Sequence, residues 1–429
     1  MYVASSRSAP EAPRAPGTGR GIPGTVFALG AVSLLTDISS EMVTAFLPVY
    51  LLFTLQLTYV QFGLLDGIYT GATALLRLVG GYVADRLERP KAVALAGYGL
   101  SAVTKLAFPA ASSSTLGIGT LLSVDRAGKG LRTAPRDALI SLAAPPDRLG
   151  AAFGVHRTMD TIGAMIGPLV TFLILTHLGT AGGPVFTISF MFALLGVIVL
   201  VFFVRDETPA HIAAAARRAN AATRKATVSV RAGLRLLRER QLRRSVIAAT
   251  LLGLATLSDA FLFVVVQKAS GVGEHLLPLL PLGTAIVFLL AATPIGRLAD
   301  RVGRWRVFFA GHVLLLGAYL LMVGPLDGLP LVFAGLALHG LFYAATDGVL
   351  SAHGGTLVPA HLRASGLAIL QTGQALARLL SSVCFGVLLQ YLEFDVALWI
   401  AITTLVGALL TVALVVRPMQ AEPEKEAVE

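Results

Sequence analysis

The sequence contains a single cysteine, Cys384, and only 14% charged residues among its 429 positions. One cysteine cannot form an internal disulfide, so the fold needs no oxidising compartment, and its place in an apolar run predicts a packing role. The low charge, with 55% hydrophobic residues and a mean hydropathy of +0.77, argues against a soluble protein and predicts an integral membrane protein. The sequence also lacks the GxxxxGK[ST] pattern of nucleotide-binding loops, which argues against an ATP-driven pump.

Apolar runs of about 20 residues, the length that crosses about 30 Å of hydrocarbon, can be placed twelve times along the chain. The sequence therefore predicts an all-α integral membrane fold with twelve transmembrane helices. The predicted spans are, in chain order, Thr25–Leu52, Val60–Ala84, Ala92–Ala111, Leu116–Leu142, Ala151–His177, Pro184–Val204, Ser245–Lys268, Leu276–Ala299, Val307–Val323, Leu329–Thr356, Leu362–Gln390 and Val396–Val416.

These spans divide the chain into a tail (1–23), a first six-helix bundle (24–204), a basic linker (205–244), a second six-helix bundle (245–416) and a second tail (417–429). Lys and Arg gather in one set of connections, whereas the opposite set holds essentially only Lys268. The positive-inside rule then places both termini in the cytoplasm and the protein in the cytoplasmic membrane. In the linker, Arg231, Arg235 and Arg238 recur at helical spacing, which favours a basic helix on the inner leaflet over a nucleic-acid-binding arm.

The two halves of the chain repeat a short pattern. A Gly, three residues, Asp and Arg follow the second span and recur after the eighth, at Gly81, Asp85, Arg86 and at Gly296, Asp300, Arg301. Asp37 in the first span is matched by Asp259 in the seventh. Parallel repeats of six helices are an architecture of secondary transporters, in which the substrate site lies between the halves near the membrane midplane.

This duplicated loop motif resembles that of the major facilitator superfamily, and the resemblance extends from the first span to the twelfth. The second copy keeps the family pattern through Gly303 and Arg304, whereas Glu88 replaces the usual glycine in the first copy. Arg126 and Gly130 are similar to the basic motif of the family's fourth helix. The resemblance implies two pseudo-symmetric six-helix bundles, with helices one and four beside a central cavity.

The fifth span contains a second resemblance. Its GAMIGP stretch, with Gly163, Gly167 and Pro168, is similar to the signature of antiporters that export drugs. The glycine pair that usually follows is replaced by Leu169 and Val170. The resemblance favours export over uptake.

Most charged residues within the spans lie in the first half of the chain. A charge near the bilayer centre costs roughly 3 kcal/mol or more, so such residues usually face the protein interior and mark a substrate or ion path. Spacings of four, three and four put one face of helix four opposite Asp37 and Glu41 on helix one; that face holds Asp125, Lys129, Arg132 and Arg136. The candidate residues for substrate binding and proton coupling are Asp37, Glu41, Asp66, Asp125, Arg126, Lys129, His156, Arg157, Asp160 and Asp259.

Two roles remain open for several of these residues. His156 is either a proton carrier or a satisfied core histidine, and Asp259 is either a protonated carboxylate or a helix cap beside Ser258. The loop motif is predicted to form a cytoplasmic gate, in which Asp85, Arg136 and Asp137 latch the outward-open state. The predicted gate residues are Gly81, Asp85, Arg86, Arg136, Asp137, Gly296, Asp300 and Arg301.

The sequence thus predicts a proton-coupled secondary transporter of a small solute, a drug or an organic anion or zwitterion, with Arg126 and Lys129 lining its site. Proton-driven uptake of an organic anion is the first alternative. A divalent-metal or metal-chelate transporter using Asp37, Glu41 and His156 is the second. An enzyme or a receptor that has lost transport is disfavoured, because neither the pair His156 and Asp160 nor the polar cluster at Ser39, Ser40 and Glu41 has a third partner at fixed spacing. We expect a monomer with no cofactor, no resident metal and no nucleic-acid partner.

Overall fold

The computed structural model describes residues 23–69, 90–111, 113–144, 148–179, 182–204, 236–358 and 363–416. Helices account for most of these residues, so the prediction of an all-α fold is confirmed. The helices are α1 (Gly24–Pro48), α2 (residues 59–69), α3 (Pro90–Ala107), α4 (Thr115–Ala143), α5 (Leu149–Leu178), α6 (Gly182–Phe203), α7 (Arg240–Leu254), α8 (Asp259–Ser270), α9 (Leu280–Val302), α10 (Arg304–Met322), α11 (Gly328–Thr346), α12 (Val349–Thr356), α13 (Arg363–Tyr391) and α14 (Phe394–Thr411).

Nine segments of the described residues are long and apolar enough to cross a membrane. Two of them contain two α-helices each, α7 with α8 over Arg240–Ser270 and α11 with α12 over Gly328–Thr356. The other three predicted spans coincide with α2, α3 and α4. Of these, α2 is described only as far as residue 69, and α4 contains the charged stretch from Asp125 to Asp137. Each of the twelve predicted spans therefore has a helical counterpart.

Close helix packing in the first bundle depends on glycine. Helix α1 packs along α5 and α6, and α3 packs along α4 and α6. A Cβ atom at Gly163 of α5 would collide with the backbone of Leu34, and one at Gly167 would collide with the backbone of Ile38. Small residues let membrane helices approach closely and gain van der Waals contact. The GAMIGP stretch thus has a packing role at the α1–α5 interface.

The seventh span is broken at residues 255–258, between α7 and α8. Backbone groups inside a membrane protein need partners from the protein when a helix is interrupted. Here the Leu257 N–H donates to the Tyr319 hydroxyl oxygen at 2.7 Å, and the Ser381 hydroxyl donates to the Thr256 carbonyl at 2.7 Å. The break is therefore stabilised by α10 and α13, and it places Asp259, whose side chain is exposed, at the start of α8.

The two bundles touch near the end of the molecule where residue Thr54 lies, which we call the Thr54 end; the opposite end is the Gly24 end. At the Thr54 end, the Tyr59 N–H donates to Gln390 Oε1 at 3.0 Å, and the rings of Phe62 and Phe261 meet edge to face at 4.8 Å. Among the described residues, these contacts join the two bundles at the Thr54 end. Towards the Gly24 end, the Arg157 side chain is 79% exposed.

One prediction about the core is wrong, and several lie outside the described residues. Cys384 is exposed on α13 rather than packed in the interior, because an apolar run in a membrane protein can face lipid as well as the core. The first loop motif, with Gly81, Asp85 and Arg86, lies outside the described residues, as do residues 205–235 of the linker and most of both tails.

Candidate functional site

Three charge contacts form a ladder between α4 and its neighbours in the first bundle. The contacts are Lys129 Nζ to Glu41 Oε1 at 3.8 Å, Arg132 Nη2 to Asp37 Oδ1 at 3.6 Å, and Arg136 Nη1 to Asp160 Oδ1 at 3.8 Å. Positions four apart on α1 meet positions three apart on α4, as antiparallel helices allow. The predicted opposition of Asp37 and Glu41 to the charged face of α4 is confirmed. These separations exceed hydrogen-bond length, so the three rungs are ion-pair contacts without a direct hydrogen bond.

The ladder ends at the Gly24 end in a chain of hydrogen bonds. Arg136 Nη2 donates to Asp137 Oδ1 at 2.9 Å, and its Nη1 lies 3.4 Å from the Ser33 hydroxyl. The same hydroxyl lies 2.8 Å from His156 Nε2, and His156 is buried. Asp160 also pairs with Arg157 at 3.4 Å. The guanidinium of Arg136 is thus connected to an imidazole through one hydroxyl group, while the predicted contact with Asp85 remains a prediction.

Asp125 and Arg126 form a second cluster, buried between α3 and α4. Asp125 accepts a 2.5 Å hydrogen bond from the Ser101 hydroxyl and pairs with Lys105 Nζ at 3.2 Å and Arg126 Nη2 at 2.5 Å. The Arg126 guanidinium lies 4.3 Å from the ring centroid of Tyr69. The structure therefore differs from the prediction that Asp125 and Arg126 face the substrate: both are 4% exposed and satisfied internally.

A cavity of about 270 Å³ lies between the two bundles. Its charged wall residues are Glu41 and Asp66 from the first bundle, with Asp259 and Arg378 from the second. Its apolar wall is formed by Ala45, Pro48, Ala260, Phe263, Leu277 and Pro281. Secondary transporters of two repeated bundles bind substrate at such an interface.

Two of the cavity carboxylates are held by hydroxyl groups of the second bundle. Ser382 on α13 donates to Asp66 Oδ2 at 2.6 Å, across the bundle interface. Tyr343 on α11 donates to the two carboxylate oxygens of Asp259 at 2.5 and 2.6 Å. His339 Nε2 lies 3.8 Å from Asp259 and carries charge only when it is protonated. Ser258, not Asp259, caps α8, so the capping alternative for Asp259 is wrong.

Sequence reasoning missed four partners of these residues. Lys105 was detectable as a lone charge in an apolar span, but its distance from Asp125 along the chain hides the pairing. Tyr69, Tyr343 and Ser382 are ordinary residues of membrane helices, and only the folded arrangement brings them to Arg126, Asp259 and Asp66.

The second copy of the loop motif forms a short link at the Gly24 end. Arg304 pairs with Asp300 at 2.9 Å and reaches the Ala352 carbonyl at 3.3 Å, while Gly303 between them has φ 108°. A positive φ of this size favours glycine, so the turn between α9 and α10 needs this residue. No group of three or more His, Cys, Asp or Glu residues that could hold a metal ion occurs within the described ranges.

The chain is similar to known transporters over most of its length. The family model of the Major Facilitator Superfamily matches residues 29–287 and 255–429. An uncharacterized MFS-type transporter of Methanocaldococcus jannaschii is 29% identical over 373 residues, covering 85% of this chain and 88% of that protein. An uncharacterized protein of Mycobacterium tuberculosis is 37% identical over 160 residues, which is 37% of this chain and 38% of that protein.

Solved structures show the same fold. The nucleoside transporter NupG superposes with a TM-score of 0.76 at 15% identity, covering 91% of this chain and 98% of that one. A peptide transporter, POT, superposes with a TM-score of 0.68 at 16% identity, covering 92% and 93%. With two bundles, an interior cavity between them and a family match over nearly the whole chain, the protein is a multi-pass secondary transporter of a small-molecule substrate and belongs to the Major Facilitator Superfamily.

Proposed function

We propose that this protein is a proton-coupled transporter that exports a small solute across the cytoplasmic membrane by alternating access. The observation that carries the proposal is the position of Glu41, which lines the cavity and also faces Lys129 at 3.8 Å in the charge ladder. Protonation of Glu41, or arrival of a charged solute, weakens its attraction to Lys129. A change at the substrate site is thereby transmitted to α4.

The remaining rungs extend this coupling towards the Gly24 end. Asp37 faces Arg132 at 3.6 Å, and Asp160 faces Arg136 at 3.8 Å. Because all three cations belong to α4, a small rotation or tilt of this helix changes every rung together. Asp37 and Glu41 are the proposed coupling carboxylates. Lys129 reaches the cavity wall through its contact with Glu41, whereas Arg126 supports the site from behind Tyr69.

The proposed orientation and direction rest on sequence features. The excess of Lys and Arg in one set of connections supports cytoplasmic termini, so that the Gly24 end faces the cytoplasm. The GAMIGP stretch resembles that of exporters, and this favours export over uptake. The proton gradient and the membrane potential would supply the driving force.

Proton coupling is testable before the substrate is known. Spin labels at Gly154→Cys on α5 and Gly296→Cys on α9 can be placed in a Cys384→Ser background, since both glycines have open space where a Cβ would stand. The distance between the labels reports whether the Gly24 end is open or closed. We expect the distance distribution to shift between pH 5 and pH 8 in reconstituted wild-type protein, over the range in which tuned carboxyl groups and histidine titrate.

The Asp37→Asn variant should lose most of this pH response. An amide side chain cannot bind and release a proton, so the contact of residue 37 with Arg132 would no longer depend on pH. Asp395→Asn is the matched control, since Asp395 is an exposed carboxylate in the first turn of α14. An unchanged response in Asp37→Asn would remove Asp37 from coupling. A wild-type distribution that does not depend on pH would contradict proton coupling altogether.

Export and uptake are separable in everted membrane vesicles with an acidified lumen, monitored with a pH-sensitive dye. An exported solute added outside such vesicles should release luminal protons, whereas a solute of an uptake symporter added outside should have no such effect. A panel of organic cations, anions, zwitterions and divalent metals serves as the probe set. Proton release on addition of any member, lost in Asp37→Asn, supports antiport, and release by none of them contradicts it.

A further inference from the structure

The wall of the central cavity carries more negative than positive charge. Glu41, Asp66 and Asp259 provide three carboxylates, whereas Arg378 provides one guanidinium. Lys129 faces Glu41 at 3.8 Å. Within the described residues, the remaining balance is therefore two carboxylates against one guanidinium.

The hydroxyl groups that donate to Asp66 and Asp259 carry no charge. The Ser382 hydroxyl donates to Asp66 and the Tyr343 hydroxyl donates to Asp259. A hydroxyl donor stabilises a carboxylate without cancelling its charge, and it fixes the direction in which the free lone pairs point. Both groups are thus oriented acceptors that still attract a cation. They come from opposite bundles, so one ligand can contact both halves of the transporter.

The rest of the cavity is apolar and of limited size. Ala260, Phe263 and Leu277 are among the residues that form the wall beside Asp259. An engineered apolar cavity of about 150 Å³ holds one benzene molecule, so the cavity of about 270 Å³ admits a body somewhat larger than a single ring. An aromatic face such as that of Phe263 also suits a cationic centre.

We propose that the solute carried by this protein is a small amphipathic organic cation, an amine with an apolar body, bound by Asp259 and Asp66. The inference rests on the proposed transport function and deepens it by naming the class of substrate. Of the solutes predicted from the sequence, a drug or an organic anion or zwitterion, it disfavours the anion, because Arg126 is buried behind Tyr69 while the carboxylates reach the cavity. Arg378 limits the net charge that the cavity can accept, which favours a single positive charge.

Equilibrium binding to purified protein in lipid nanodiscs tests the proposal without a proton gradient. The probes are phenethylamine, its neutral isostere 2-phenylethanol and the anion 3-phenylpropionate, supplemented by tyramine and tetraethylammonium. We expect the amines to bind and the alcohol and the acid to bind at least tenfold more weakly. We also expect Asp259→Asn and Asp66→Asn each to weaken phenethylamine binding tenfold or more, with Asp395→Asn as the unaffected control.

Two results would overturn the proposal. The first is that the alcohol or the acid binds as tightly as the amines, or that none of the amines binds. The other is unchanged amine affinity in both Asp259→Asn and Asp66→Asn, checked for folding by their helical circular dichroism. The binding measurement uses no proton gradient, so it is independent of the pH-dependent distance change that tests proton coupling. A negative binding result would contradict the cationic substrate and not the coupling, and an absent distance change would contradict the coupling and not the substrate class.

Discussion

The two bundles share an architecture but differ in the polar groups inside them. In the first bundle, Lys129, Arg132 and Arg136 face carboxylates of α1 and α5. In the described part of the second bundle, the buried polar contacts join hydroxyl groups, histidine side chains and backbone groups. Examples are Ser245 with His353 at 3.0 Å and Thr284 with His339 at 3.2 Å.

This difference indicates a division of labour within a repeated fold. Charge inside a membrane protein is costly and is kept where function requires it. The first bundle contains the facing charges of the ladder, whereas the second contributes Asp259 and Arg378 to the cavity. The symmetry of the fold therefore does not imply symmetry of the mechanism. Substitutions at comparable sites of the two bundles should show where the bundles differ.

The largest expected effect follows from breaking the Asp125 cluster. Asp125→Ala leaves Lys105 and Arg126 buried without their carboxylate, at 2% and 4% exposure. Removing one partner of a buried pair typically costs 3–5 kcal/mol, and we expect a loss of about 3 kcal/mol or more in the free energy of unfolding. Unfolding in mixed detergent micelles, followed by circular dichroism, measures this loss.

Two control variants test whether the loss of stability comes from the unpaired cations. The double variant Lys105→Met with Asp125→Asn should recover part of the loss, since it removes one of the uncompensated cations. Asp395→Ala should stay within about 0.5 kcal/mol of wild type, as is usual for exposed positions. If Asp125→Ala were as stable as Asp395→Ala, the cluster would not stabilise the first bundle.

We expect an effect of intermediate size on stability at the close helix contacts of glycine, which both bundles contain. Alanine at Gly163 would place a Cβ against the Leu34 backbone in the first bundle, and alanine at Gly340 would place one against Val287 and the Thr284 carbonyl in the second. Overpacking of this kind costs about 1–3 kcal/mol. We expect similar losses for Gly163→Ala and Gly340→Ala in the same unfolding measurement.

Gly407→Ala serves as the control, because nothing lies within 4 Å of a Cβ built at Gly407. This variant should be neutral or stabilised by up to about 1 kcal/mol through the higher helix propensity of alanine. Comparable stability of all three variants would mean that close helix packing is not what the glycines provide. A loss confined to Gly163→Ala would show that the bundles differ in packing as well as in charge.

The sequence predicted the fold more completely than the site, for physical reasons. Hydrophobic length and loop charge are local properties, so the spans could be found residue by residue. The opposition of Asp37 to Arg132 was also predictable, because helical periodicity and the family arrangement of helices one and four fix it. The partners of Asp66 and Asp259 were not, since Ser382 and Tyr343 are brought there by the packing of α13 and α11.

The smallest effect separates two buried histidines that each contact a serine. His156 Nε2 lies 2.8 Å from the Ser33 hydroxyl in the first bundle, and His353 Nε2 lies 3.0 Å from the Ser245 hydroxyl in the second. The loss of one such hydrogen bond costs about 1 kcal/mol, so glutamine at either position should lower stability by about this amount.

The two variants should nevertheless differ in function, because Ser33 also contacts Arg136 at 3.4 Å. We expect His156→Gln to alter the pH response of the labels on α5 and α9, and His353→Gln to leave it unchanged. Equal effects of the two variants on that response would show that the division between the bundles does not extend to their histidines.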